Sequence, residues 1–172
     1  MAVSSCMNCG RCCTSYGVCV TPSDIERIIK ASGSDPVDFL MIIPEPPQRE
    51  RKEPCVLIDN VRSLVVLRWS KKRDCVFHGK DGCTIYPSRP MLCRTYPFSL
   101  DGKALKDMKS RACPCLWRPN ESDTNVYLAD LGTYGSDIER YRDIADEWNS
   151  KGGGSFMGFI TFAISKVRSE RM

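Results

Sequence analysis

A small α+β domain of short strands, cysteine-rich loops and covering helices is what the sequence predicts, on three observations. Eleven cysteines sit in 172 residues, four of them within the first thirteen positions. Short runs rich in Val, Ile and Leu, bounded by turn residues, lie between Cys55 and Tyr86. Capped segments with apolar residues at helical spacing flank them on both sides.

The first helix is predicted over Pro22–Ser32. Thr21 offers a capping hydroxyl, Pro22 suits the first helical position, Asp24 lies in the first turn, and Ile25, Ile28 and Ile29 follow at helical spacing. Gly33 ends it. A shorter helix is predicted to start at Pro36 behind Asp35 and to carry Phe39, Leu40 and Met41. Four prolines between Pro44 and Pro54, among charged residues, predict a loop.

From Cys55 to Trp69 a strand pair is expected, turning at Asp59-Asn60. Cys75-Val76-Phe77-His78 and Cys83-Thr84-Ile85-Tyr86 read as a hairpin with its turn at Asp81-Gly82, which would hold two cysteines near each other. Ser136-Asp137-Ile138-Glu139 reads as a capping box for a helix to about Asn149, with Ile138, Tyr141, Ile144, Ala145 and Trp148 in one stripe. Gly152-Gly153-Gly154 then breaks the chain. Ser155 caps a last helix whose Phe156, Phe159, Ile160, Ala163, Ile164 and Val167 share a face. The expected division is a cysteine-rich metal-binding domain over 1–150 and a Gly-hinged amphipathic helix over 151–172. The stripe of that helix suits the core or, through the hinge, a partner.

The cysteines carry the chemistry. Met1-Ala2-Val3-Ser4-Ser5 has no basic n-region and no apolar h-region, so the sequence predicts a cytoplasmic protein whose thiols are ligands rather than disulfides. The longest apolar stretch, Phe156 to Ile164, is about half of what a bilayer-spanning helix needs. Lys plus Arg exceed Asp plus Glu by 25 to 21, spread along the chain, which reads as a solvated surface. Nucleic acid is not the expected partner; a larger protein complex is.

Cys6-Met7-Asn8-Cys9-Gly10-Arg11-Cys12-Cys13 is a C-x-x-C-x-x-C-C run. Two-residue spacings let one loop present several sulfurs to a metal, and Gly10 permits the tight backbone. Adjacent Cys12 and Cys13 point different ways, which predicts Cys6, Cys9 and Cys12 at one centre and Cys13 at a second. A further set, Cys75, Cys83, Cys93, Cys113 and Cys115, supplies the remaining ligands, while Cys19 and Cys55 stand apart, with Cys55 read as a buried thiol. So many thiolates together repel one another unless a cation neutralises them. His78 is the single histidine, so mixed Cys–His zinc sites are disfavoured and all-cysteine ligation leans toward iron–sulfur clusters, [4Fe-4S] in one or two copies, with zinc as the alternative. His78 itself reads as a surface or supporting residue.

Cys83-Thr84-Ile85-Tyr86-Pro87-Ser88-Arg89-Pro90-Met91-Leu92-Cys93-Arg94-Thr95-Tyr96-Pro97-Phe98, downstream of the C-x-x-C-x-x-C-C run, resembles the YkgJ-like CxxCxxCC family, whose members are described as zinc- or iron-chelating. The resemblance spans residues 6 to about 115 and implies Cys6, Cys9, Cys12, Cys13, Cys75, Cys83, Cys93 and Cys113 as ligands. Where relatives show Cys-Pro-Gly this chain has Cys113-Pro114-Cys115, so either sulfur of that pair suits the role. Arg89 and Arg94 look like the family's Y-x-x-R-P-x-x-C-R element and are expected beside the cofactor, where a guanidinium offsets thiolate charge.

Three functions follow as expectations. The first is an iron–sulfur protein that transfers electrons or responds to oxygen and redox state as part of a larger assembly. The second is a zinc-stabilised interaction module. The third is a metal-dependent modifying enzyme, since flagellin lysine N-methylases carry the same cysteine run, although no methyl-donor loop and no catalytic residue is recognisable here.

Overall fold

The reciprocal capping box forms as its residue types dictate, and it anchors the architecture. The Thr21 amide donates to Asp24 Oδ2 at 3.0 Å and the Asp24 amide donates to Thr21 Oγ1 at 3.1 Å. The computed structural model describes residues 2–3, 6–47, 52–107, 112–113 and 115–169. Strand β1 (Ala2–Val3) and helix α1 (Arg11–Ser15) precede the capped helix α2 (Pro22–Ser32). Then come α3 (Pro36–Phe39), β2 (Leu40–Pro44), β3 (Val56–Ile58), β4 (Val61–Leu67), β5 (His78–Gly79) and β6 (Gly82–Cys83). A 3-10 turn (Tyr86–Ser88), α4 (Met91–Thr95), β7 (Phe98–Asp101), β8 (Ala104–Asp107), β9 (Leu116–Trp117), α5 (Glu121–Ser150) and α6 (Phe156–Ser169) complete the chain. The fold is α+β, with strands paired antiparallel except for β1 on β9. Among the described residues no helix is long and apolar enough to cross a membrane.

The central sheet has the order β2-β4-β3. Its β3–β4 turn falls at Asp59 and Asn60, both with positive φ (47° and 65°), the conformation that two-residue hairpins need. Leu64 to Leu67 are all buried, so the sheet is covered on both faces. Val65 and Leu67 face a main core shared with Val56, Ile58, Ile25, Ile28, Tyr141 and Phe159. Leu64 and Val66 face Cys19, Cys55, Met41 and Ile43.

Helix α5 crosses the whole molecule. Its first half packs Tyr127 and Leu131 on Phe98 and Trp117, a second core beneath the β7–β8 hairpin. Its second half contributes Tyr141, Ile144 and Ala145 to the main core. In α6, Phe159, Ile160, Ala163 and Val167 are each no more than 1 % exposed. The Gly152-Gly153 turn lies on β3 rather than in solvent. Gly154 forms a bridge with Ile58, and a Cβ on Gly153 would come within 2.4 Å of the Leu57 carbonyl oxygen. The stripe of the last helix is therefore part of the core.

Arg168 near the end of α6 holds the buried Glu26 carboxylate of α2 with two hydrogen bonds, 3.2 and 3.0 Å. Burial would push the Glu26 carboxyl up, but the bonds from Arg168 and Lys30 outweigh it and hold the group below the usual range. A lowered carboxylate stabilises the fold above its unfolded value of about 4.3, and that contribution disappears as pH falls through the lower folded value. Arg168 is largely exposed, so Arg168→Ala is expected to lower stability only modestly at pH 7. Urea melts should show the two proteins converging in acid.

Three sequence expectations change. Leu40 and Met41 extend β2 rather than α3, because they pair with Leu67 and Val66 of the sheet. The long helix starts at Glu121, not Ser136, since the Asn120 side chain accepts the Asp123 amide at 2.8 Å and caps it earlier. The cysteine hairpin is only two residues per strand, with its turn at Lys80-Asp81. Residues 48–51 of the expected proline-rich loop and Pro114 lie outside the described residues.

Candidate metal centre

Gly10 shapes the N-terminal cysteine run. It adopts φ +73° and forms the N-cap of α1, so the chain turns sharply after Cys9 and carries Cys12 and Cys13 on a short helix. A Cβ at Gly10 would fall 2.0 Å from His78 Nε2, leaving glycine as the one residue type that fits. His78 Nδ1 lies 3.3 Å from Asp74 Oδ2, and Asp74 also contacts the Ser70 hydroxyl, so the imidazole is braced behind the loop. His78 packs behind the loop and is not among the residues that line the cysteine-rich cavity.

The loop is latched to the downstream cysteines by named bonds. Asn8 accepts the Cys83 amide at 2.9 Å and donates to the Asp81 carbonyl at 3.4 Å. Tyr86 donates to the Cys6 carbonyl at 3.1 Å, and the Cys75 amide donates to the Cys13 carbonyl at 2.9 Å. Cys93 sits on α4, whose first amide, Met91, donates to Asp24 Oδ1 at 2.9 Å, so the capping box of α2 also fixes this helix. Cys113 is held by a tyrosine pair. Its amide donates to Tyr96 Oη at 3.0 Å, the Ala112 amide donates to Tyr16 Oη at 2.8 Å, and the rings meet at 5.8 Å. Burial pushes the Tyr96 hydroxyl up to about 12.

These elements enclose one cavity of about 720 Å³. Ten cysteines line it: Cys6, Cys9, Cys12, Cys13, Cys19, Cys75, Cys83, Cys93, Cys113 and Cys115. All nine cysteines singled out from the sequence are in its wall, together with Cys19, which stands apart from the others along the chain. Cys55 does not line it and lies buried against Leu64 and Val66. No disulfide joins any of the eleven, all of which are described.

The thiols oppose one another's ionisation. The Cys12 thiol is pushed up by its hydrogen bond with Cys13, then by burial and the Cys13 charge. Cys75 is pushed up to about 11 by burial, with Cys83 and Cys12 adding to it. Burial raises Cys83 and Cys93 as well, and both feel Cys12. Cys115 is raised by its hydrogen bond with Cys113, by burial, and by the charges of Cys113 and Cys9. A wall of this kind is unfavourable for thiolates alone and favourable once a cation is inside.

Arg89 supplies one positive charge at the wall. Its guanidinium stacks 3.9 Å from the Tyr86 ring centroid and eases Cys83 ionisation, and its buried Nε has no partner among the described residues. Arg94 is placed differently. It makes two 3.1 Å bonds to Asp130 of α5, and it is not among the residues lining the cavity.

The soft thiolates of the wall fit a zinc or iron guest, and the Arg89 guanidinium beside them offsets their charge. Among the described residues no three Cys, His, Asp or Glu side chains converge on a single ion, the thiols being distributed over the cavity wall. A family model described as CxxCxxCC, putative zinc- or iron-chelating domain, matches residues 5–115. No curated protein and no solved structure matches the chain.

Proposed function

The chain belongs to the CxxCxxCC family, and with metal chelation as the premise we propose that it is an iron–sulfur protein holding [4Fe-4S]-type clusters that transfer electrons or respond to redox state within a larger protein assembly. The observation that carries this reading is the cavity itself. Four thiolates on one zinc ion, each about 2.3 Å from the metal, sit about 3.8 Å from one another. Ten sulfurs spread around about 720 Å³ suit a guest of several metal atoms, which holds its thiolates farther apart.

Cys6, Cys9, Cys12, Cys13, Cys75, Cys83, Cys93, Cys113 and Cys115 are the proposed ligands. Arg89 offsets their charge, and its unpartnered Nε offers a hydrogen bond to sulfur. When bound, such a cluster supplies reversible one-electron chemistry, while the protein supplies the thiolates and an apolar surround from Phe77, Phe98 and Trp117. Thiols without disulfides favour a reducing, cytoplasmic setting.

Protein purified without oxygen is expected to be brown, to bleach on stoichiometric dithionite, and to recover its colour with an anaerobic oxidant. Colourless protein that takes up no reducing equivalents would rule the redox reading out.

A further inference from the structure

Resting on the reading that these thiols hold metal, we propose that they form two separate sites divided between Cys9 and Cys12, with Cys115 as the fourth sulfur of the second site alongside Cys6, Cys9 and Cys113. The sequence alone places the division one cysteine later, between Cys12 and Cys13.

The backbone makes the cut. Gly10 in the left-handed conformation, with His78 filling the space behind it, reverses the chain between Cys9 and α1. Cys12 and Cys13 both ride on α1, and the Cys75 amide bonded to the Cys13 carbonyl ties that helix to the first group. Cys6 and Cys9 remain on the other side of the turn.

Packing repeats the division. Cys13, Cys75, Cys83 and Cys93 belong with the main core. Cys6, Cys113 and Cys115 belong with the second core, against Phe98, Trp117 and Tyr127. Cys6 lies at the boundary, since Tyr86 donates to its carbonyl, and its packing assigns it to the second group.

The count then closes. The second group holds four sulfurs only if Cys115 is included, and four is the number that either a zinc centre or a cubane cluster takes. The first group holds Cys75, Cys83, Cys93 and the adjacent pair Cys12 and Cys13, whose thiols hydrogen-bond each other. One member of that pair is therefore surplus to four. Cys9 is exposed and Cys115 half-buried, so the second site lies nearer the surface and can be altered with little effect on the core.

The test uses the full chain reconstituted anaerobically with iron and sulfide, with metal and sulfide measured per chain. Cys115→Ala and Cys9→Ala are each expected to lower both contents twofold, and the Cys9/Cys115 double variant to fall no further. Cys83→Ala combined with Cys115→Ala should lose essentially all metal. Full metal in Cys115→Ala, or a double Cys9/Cys115 variant well below half, overturns the assignment. Stepwise cobalt(II) binding to the wild-type apoprotein guards against misfolded variants: two thiolate-bound steps are expected, one of them absent in Cys115→Ala, and a single step for the wild type overturns the two-site division. If the chain binds zinc and no iron, the same halving of zinc upholds the division while the iron–sulfur reading fails.

Discussion

Replacing Gly10 with Ala is expected to destabilise the protein by roughly 2 to 5 kcal/mol and to lower its metal content with it. Two costs add at this position. A side chain in the left-handed region costs about 1 to 2 kcal/mol, and φ here is +73°. The methyl would also fall 2.0 Å from His78 Nε2, an overlap of the kind that costs about 1 to 3 kcal/mol in packed interiors. The imidazole cannot swing aside freely, because Asp74 holds its other nitrogen and Asp74 is itself engaged by Ser70. The two costs can be separated. In a His78→Ala background the overlap disappears and only the backbone cost remains, so Gly10→Ala should cost less there than in the wild type. Thermal melts of the four proteins decide it. A Gly10→Ala protein as stable as wild type, or a Gly10→Ala cost undiminished in the His78→Ala background, would contradict the packing of His78 behind the cysteine loop.

Phe159→Ala should have a comparable effect from the other side of the molecule. Phe159 has no exposed surface. Its ring centroid lies 5.5 Å from that of Trp148 and 6.3 Å from that of Tyr141, between α5 and α6. Truncating a fully buried phenylalanine costs about 3 to 5 kcal/mol. For a chain of this length each kcal/mol lowers Tm by about 2 to 4 °C, so a loss of about 6 to 20 °C is expected. Calorimetry reads it directly. An unchanged melting temperature would mean that the last helix does not contribute to the core and would restore the option of a helix that docks elsewhere.

Much of the helical architecture was legible because it rests on local chemistry. Thr21, Pro22, Asp24 and Gly33 mark both ends of α2 through capping groups that need no distant partner. The turn at Asp59 and Asn60 is equally local. The strand β2 was not legible, because Leu40 and Met41 suit a helix or a strand and only pairing with β4 decides between them. The β7–β8 hairpin and the first half of α5 were missed for a related reason. Their apolar residues are sparse and serve a separate small core around Phe98 and Trp117, whose existence depends on α5 crossing above it.

The candidate site divides in the same way. Cysteine spacing singled out nine thiols, and all nine line one cavity. Cys19 joins them through the pairing of its strand segment with Val66 of β4, a contact with no trace in its immediate sequence. The tyrosine pair that holds the Cys113 segment comes from positions eighty residues apart, and only the tertiary fold brings Tyr16 to Tyr96. Arg94 shows the reverse limit. Its motif position suggests the cofactor, yet Asp130 arrives from α5 and engages its guanidinium through two bonds. Arg89, four residues from Cys93 and six from Cys83, lines the cavity wall, where it stacks on Tyr86 and its charge eases Cys83 ionisation.

Iron, acid-labile sulfide and zinc measured together on protein purified without oxygen test the central claim most directly. Two cubane clusters in the thiol-lined cavity predict about eight iron and about eight sulfide per chain with zinc near zero. Protein that contains neither iron nor zinc yet folds normally would contradict the account that this cavity is a metal site, and zinc without sulfide would contradict its assignment to iron–sulfur chemistry.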